Sequence, residues 1–306
     1  MSRHQSADLA ASVKQRLLTI SRQRNENFDY ILRRFALERI LYRLAKSEYA
    51  KQFVLKGAVL FTVWSTVLHR PTRDLDLLGY GDASEERLRE VFTKVCQVNV
   101  EPDGLKFDVS TIHIAEIRED QEYQGQRVKL VAGLSTTRIP VQVDIGFGDV
   151  VIPAVESIDY PTLLDFPCPR ITAYPRETVI AEKLQAIVSL GMVNSRMKDF
   201  YDIWMISKQF SFSGNTLVQA IRGTFERRST PIPDSTPIAL TDEFALDSDK
   251  ATQWKAFLTR SNLNEVDTDL KQVISELKTF LIAPLSVAAA RNSFGETWQA
   301  GGPWFL

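Results

Sequence analysis

Apolar residues recur three and four positions apart through 9–18 and through 28–44, where Ile31, Phe35, Leu37, Ile40, Leu41 and Leu44 follow a 3.6-residue period. That spacing predicts two amphipathic helices at the start of the chain. The apolar stretch from Phe53 runs to His69-Arg70-Pro71, where proline and the residue before it disfavour helix, so a helix is expected over 58–68. The period then changes. Asp74-Leu75-Asp76-Leu77 alternates acid and leucine, the two-residue repeat of a strand with one polar and one apolar face. Residues 109–117, 127–134 and 139–145 read as further strands, with a helix over 85–96.

Prolines at 153, 161, 167, 169 and 175 punctuate the chain before the pattern turns helical again. Helices are expected over 177–190, 196–208, 216–225, 251–259 and 270–281, and the Pro-, Ser-, Thr- and Asp-rich stretch 229–249 is expected as a long loop. The fold class is therefore α+β: a mixed α/β lobe with N-terminal helices over 1–165, then a mainly helical lobe over 166–306.

Composition narrows the class without naming it. The 306 residues are 44% hydrophobic and 25% charged, which excludes collagenous, coiled-coil and largely disordered chains. The apolar stretches 59–68 and 280–290 are too short or too interrupted for the roughly 20 residues a bilayer requires, so no membrane span is expected. No apolar signal core opens the sequence, and Cys96 and Cys168 have no metal-ligand spacing, so the cytoplasm is the expected compartment. The net charge of −1 conceals an asymmetry: residues 1–51 hold eleven basic and five acidic side chains, a net of +6, whereas 234–269 hold three and eight, a net of −5. The basic segment suits a polyanion, although solvated helix faces explain the same arginines.

The carboxylates carry the chemistry. Asp74 and Asp76, two apart, share a strand face and repel unless a cation lies between them; magnesium takes one or two carboxylates plus substrate phosphates. Asp144, on the polar face of Val141-Gln142-Val143-Asp144-Ile145, supplies a third acid, with Asp149 as its competitor. Three carboxylates on neighbouring strands suit two-metal phosphoryl or nucleotidyl transfer. Upstream, Lys56-Gly57-Ala58 puts small residues at an expected helix start, where backbone N–H groups meet phosphate. The Walker pattern is absent. Arg70 and Arg73 flank the acid pair as candidate phosphate contacts. Lys183, beside Val179, Ile180 and Leu184, is expected to turn its ammonium to a triphosphate, with Asp199 and Asp202 on the next helix and a Lys198–Asp202 pair as the plainer alternative.

Leu55-Lys56-Gly57-Ala58-Val59-Leu60, Arg70-Pro-Thr-Arg73-Asp74-Leu-Asp76-Leu, Val141-Gln-Val-Asp144-Ile-Gly-Phe-Gly148-Asp149, Glu182-Lys183 and Arg196-Met-Lys198-Asp199-Phe-Tyr-Asp202-Ile occur in that order. Together they resemble the nucleotidyltransferase family of AbiEii/AbiGii abortive-infection toxins, within the DNA polymerase β superfamily, over about residues 56–203. The resemblance implies a nucleotidyltransferase-like first lobe and a magnesium-dependent enzyme that moves a nucleoside monophosphate from a nucleoside triphosphate. It implies a toxin paired with an antitoxin, and RNA as acceptor, with the transfer-RNA 3′ end expected. Carried over, Gly57 lies on the phosphate-binding turn, Asp74 and Asp76 match the metal-binding pair, Asp144 matches the third carboxylate, and Lys183 and Asp199 match residues that close the site. Beside these, Lys56, Ala58, Arg70, Arg73 and Arg196 are candidate phosphate contacts. Many superfamily members carry Gly or Ser where Ala58 stands, so a serine contact to phosphate is missing here. Two other readings stay open: transfer to a protein or small molecule, and a non-catalytic nucleotide- or RNA-binding module.

Overall fold

The computed structural model describes residues 3–65, 70–117, 125–263 and 268–306. The chain forms two compact units, one of Met1–Gly148 with Glu156–Ala173 and one of Asp149–Val155 with Tyr174–Leu306. The first unit thus extends past residue 165.

Two helices open the first unit, α1 (Arg3–Arg24) and α2 (Phe28–Lys46); the Asn27 side chain caps α2 by accepting the Asp29 and Tyr30 N–H groups. They are followed by β1 (Phe53–Lys56), a short α3 (Phe61–Trp64), β2 (Leu75–Gly79), α4 (Glu85–Gln97), β3 (Leu105–Ile117), β4 (Gly125–Leu134), β5 (Thr137–Phe147), β6 (Glu156–Asp159) and β7 (Arg170–Ala173). Among the described residues these strands form one mixed sheet in the order β3-β4-β5-β2-β1-β7-β6, with β5–β2 and β1–β7 parallel. Periodicity misses β1 because Phe53, Val54 and Leu55 are all buried, so the strand shows no alternation. The helix expected over 58–68 is shorter where it is described, a 3-10 turn over Ala58–Leu60 leading into α3 and ending at Ser65; residues 66–68 lie outside the described residues.

One face of β3–β5 is apolar and buried, through Ile112, Ile114, Val128, Leu130, Ala132, Ile139, Val141, Val143 and Ile145. Helix α2 packs on β5 and β7, and α4 on β3, so both helices cover that face. Asp144 alternates with these residues and projects from the other side. The basic N-terminal segment therefore contributes less surface charge than its count suggests. Arg39 and Arg43, one helical turn apart on the buried stripe of α2, both close on Asp103: Arg39 Nε at 3.0 Å, and Arg43 Nη1 and Nη2 at 2.6 and 3.1 Å. Arg39 also donates to the Pro167 carbonyl at 2.9 Å and stacks over the Tyr42 ring. Nearby, buried Glu38 accepts the Leu163 N–H at 2.8 Å; burial pushes its carboxyl up to about 7, only partly offset by that bond and by Arg39.

The second unit carries α5 (Arg176–Leu190), α6 (Met197–Gln209), β8 (Phe212–Ser213), α7 (Gly214–Arg227), α8 (Asp242–Leu246), α9 (Ser248–Arg260), α10 (Leu270–Ala289), β9 (Thr297–Trp298) and β10 (Trp304–Phe305). Its first segment is tied to α5 by Thr178 Oγ1, which accepts the Ile152 N–H at 3.0 Å and donates to the Ile152 carbonyl at 2.7 Å. The stretch 229–249 is not one long loop: a 3-10 turn over Ile238–Leu240 and α8 bury Ala239, Leu240, Phe244 and Ala245. These anchors are too few and too close to prolines to show a period. Helix α10 runs past 281 through Pro284 and is long and apolar enough, by length and composition alone, to cross a membrane. The stretch counted from 280 hid that length. In this unit α10 buries Val273, Ile274, Leu277, Phe280, Leu281 and Leu285 and packs on α6, α7 and α8.

Removing the shared counter-charge of two buried arginines should be costly. Asp103→Asn is expected to lower the unfolding free energy by about 3–5 kcal/mol. Urea denaturation checks this, with Asp165→Asn, which loses an exposed 3.5 Å contact to Arg16, as the control expected to unfold like wild type.

Candidate active site

Four adjacent strands set four charged residues in one row. Lys56 of β1 is the register partner of Asp76 on β2, Asp76 of Asp144 on β5, and Asp144 of Arg127 on β4. Register partners on neighbouring strands lie about 5 Å apart and share a face, so the row reads cation, acid, acid, cation. Leu75 and Leu77 pack into the core on either side of half-buried Asp76, and Asp74 sits immediately before β2.

Two carboxylates side by side repel, and Arg127 answers one of them. Its Nε and Nη2 donate to the two Asp144 oxygens at 2.8 and 2.7 Å, and Gln142 Nε2 adds a third donor at 3.3 Å. The Asp144 side chain is 18% exposed and that of Arg127 33%, so the pair is only partly screened by water. Arg127 is the residue that reasoning from the sequence missed. Alternation against Val128 and Leu130 places it on the polar face of β4, but only the pairing of β4 with β5 sets it opposite Asp144.

Gly57 is required twice over. Its φ of 77° lies in the left-handed region, and a Cβ there would stand 2.8 Å from the Asp76 Cβ and closer still to its carboxylate. The Asp76 carboxylate thus occupies the space that a side chain at the Lys56-Gly57-Ala58 turn would fill. The helix dipole expected behind this turn is reduced, since only a 3-10 turn and the four-residue α3 follow. Arg70 and Arg73 lie in the irregular segment before β2, Arg70 half-buried and Arg73 exposed.

The donor set can be tested against a divalent cation. Asp74 and Asp76 are half-buried, and the Gly57 cradle holds the Asp76 carboxylate at the turn, which fits magnesium shared with phosphate oxygens. Of the three expected carboxylates, Asp76 and Asp144 are register partners and Asp74 directly precedes β2; Asp144 is held by Arg127, and among the described residues no group of three or more His, Cys, Asp and Glu is placed to hold a metal. Asp149, the competitor for the third position, is buried in the second unit, where Arg228 Nη2 lies 3.2 Å from its Oδ1 and 3.4 Å from Glu182 Oε2.

Lys183, expected to meet a triphosphate, pairs in the structure with the two acids of the next helix. Its Nζ lies 2.6 Å from Asp199 Oδ1 and 2.8 Å from Asp202 Oδ2, both carboxylates fully buried, and Arg196 Nε reaches Asp199 Oδ2 at 2.7 Å. Burial would raise the Asp199 carboxyl, but Lys183, Arg196 and Lys198 together hold it below the usual carboxylate range. Asp202 turns inward to Lys183, and Lys198 itself is exposed. Arg196, its side chain 39% exposed, is the cation of this network that meets water.

The site thus sets a glycine turn under a carboxylate, with a second acid in register on a mixed sheet. The model of the nucleotidyl transferase AbiEii toxin family, of type IV toxin–antitoxin systems, matches residues 39–276, and the chain belongs to that family. It is accordingly a toxin-family nucleotidyltransferase, with a nucleoside triphosphate as substrate and an antitoxin as counterpart. The crystal structure of JHP933 from Helicobacter pylori is similar at a TM-score of 0.45 and 15% identity, over 83% of this chain and 87% of that one. A second H. pylori crystal structure, of a protein provisionally described as a nucleotidyltransferase, is similar at 0.46 and 16%, over 83% and 89%. No curated protein matches the chain.

Three substitutions separate these roles. Gly57→Ala should cost about 1–3 kcal/mol and displace the Asp76 carboxylate. Gly81→Ala, also at positive φ but with nothing within 4 Å of its added Cβ, should lose stability while keeping activity; paired unfolding and transfer assays read the difference. Lys183→Gln should destabilise by about 3–5 kcal/mol, because it takes a shared counter-charge from two buried carboxylates and leaves Asp199 to Arg196. A thermal midpoint equal to wild type would contradict the buried network.

Proposed function

We propose that this protein transfers a nucleoside monophosphate from a nucleoside triphosphate to the 3′ end of an RNA, transfer RNA in particular, in the cytoplasm. The observation that carries the reading is the Asp76 carboxylate seated over the Gly57 turn and in register with Asp144. Family membership supports the nucleotidyl group and the toxin role. In the reaction the acceptor 3′ oxygen attacks the α-phosphorus, the bond from that phosphorus to the bridging oxygen breaks, pyrophosphate leaves, and the hydroxyl proton is released.

Asp74 and Asp76 would hold magnesium, which supplies Lewis-acid polarisation of the phosphate and a lower pKa for the attacking hydroxyl. The chain's own contribution is placement. The Lys56-Gly57-Ala58 turn binds phosphate beside Asp76, and Lys56 flanks the acids on one side. Arg127 orients Asp144 on the other, so that its carboxylate faces the acceptor in one rotamer. Arg70 and Arg73, in the segment leading to Asp74, are further phosphate contacts.

Asp76→Asn keeps the shape that fits against Gly57 and removes the charge. Transfer of labelled nucleotide from each of the four triphosphates to purified transfer RNA should fall by about a thousandfold or more. The thermal midpoint should stay close to wild type, since relief from the neighbouring Asp144 is offset by the lost attraction to Lys56. A wild-type rate in this variant would overturn the site; label on protein or on a small molecule, with RNA unmodified, would overturn the acceptor alone.

A further inference from the structure

The sheet face that bears Asp144 continues away from it along three strands. On β5 the residues at two-residue steps are Asp144, Gln142, Pro140 and Arg138; opposite them on β4 stand Arg127, Lys129, Val131 and Gly133. On β3, His113 partners Lys129 and, beyond a register shift, Lys106 partners Gly133. Register partners share a face, so Arg127, Lys129, His113, Arg138 and Lys106 project on one side while the core residues of the same strands project on the other. Lys129, His113, Arg138 and Lys106 are exposed. Among the described residues of these strands the same face has one acid besides Asp144, Asp108, whose carboxylate accepts the Ser110 N–H and hydroxyl at 3.2 and 2.6 Å.

We propose that this exposed face of β3–β5 is an acceptor track: an RNA strand whose 3′ end meets the Asp76–Asp144 row runs back along it, its phosphates against Lys129, Arg138 and Lys106. The inference rests on RNA being the acceptor, and it deepens that reading by stating where the strand lies. A strand delivering its 3′ hydroxyl to two carboxylates brings further phosphates close to them, and those phosphates need cations at increasing distance from the acids. Six residue steps along β5 separate Asp144 from Arg138, a track of roughly 20 Å. The basic N-terminal segment cannot serve this strand through α2, which covers the opposite face of the sheet and buries Arg39 and Arg43 against Asp103.

The test compares the combined variant Lys106→Glu, Lys129→Glu and Arg138→Glu with a control, Arg22→Glu and Arg24→Glu, at exposed positions of α1. Binding of fluorescently labelled bulk transfer RNA is measured by anisotropy from about 50 to about 200 mM salt, together with triphosphate affinity and thermal midpoint. Three lost phosphate contacts should weaken binding at least about tenfold at the lower salt and flatten the log–log salt slope by about 2. The control should stay within about twofold of wild type, and triphosphate affinity should not move. If the charge reversals disturb folding, the neutral set Lys106→Gln, Lys129→Gln and Arg138→Gln carries the same test with about half the effect. RNA binding retained by the folded variant, a control that loses as much, or an equal fall in triphosphate affinity would each overturn the track. Wild-type protein that binds no transfer RNA would overturn the acceptor reading itself, a separate outcome.

Discussion

Two carboxylates in register on adjacent parallel strands are the constraint around which the first unit is organised. At a spacing of about 5 Å they repel, and the flanking strands answer with a cation on each side, Lys56 beside Asp76 and Arg127 beside Asp144. The arrangement is balanced without being neutral in function. Arg127 holds Asp144 through both oxygens, whereas the Asp76 carboxylate is seated over a glycine turn, in the space a side chain there would fill. The two acids, equivalent in a list of aspartates, stand in different environments because different strands lie beside them.

Ion pairs in this protein divide by burial. The Arg39–Asp103–Arg43 and Lys183–Asp199–Asp202 groups are buried, and their members hold elements together: α2 to the segments around Asp103 and Pro167, and α5 to α6. Removing the shared partner, Asp103 or Lys183, takes a counter-ion from two buried charges at once, so these groups report on folding first. The exposed cations of β3–β5 have no such burden and can exchange water for a ligand's phosphates. Counting charge along the chain mixes the two kinds, and the basic N-terminal segment is the clearest instance.

Most of the secondary structure was legible because amphipathic helices and half-buried strands write their period into the sequence. The segments around α2, α4, β2, β4 and β5 each show it. What was missed had no period to show: β1 is buried on both faces, β6 and β7 are four residues each, and α8 is a five-residue helix among prolines. The Asp74–Asp76 pair and the Gly57 turn were visible as residues at informative spacings. Their contact was not, because it depends on β1 lying antiparallel to β2.

The sequence by itself determined the class of fold, the acids on the polar face of their strands and the family, since each follows from local order along the chain. Only the tertiary structure decided the company those residues keep. Arg127 meets Asp144 across 17 positions, Arg39 meets Asp103 across 64, and Lys183 meets Asp199 across 16. Such pairs follow from strand register and helix packing, which a burial pattern constrains only to the choice of face. Which charge neutralises which, and which remains for a ligand, is settled when the sheet closes and water is excluded.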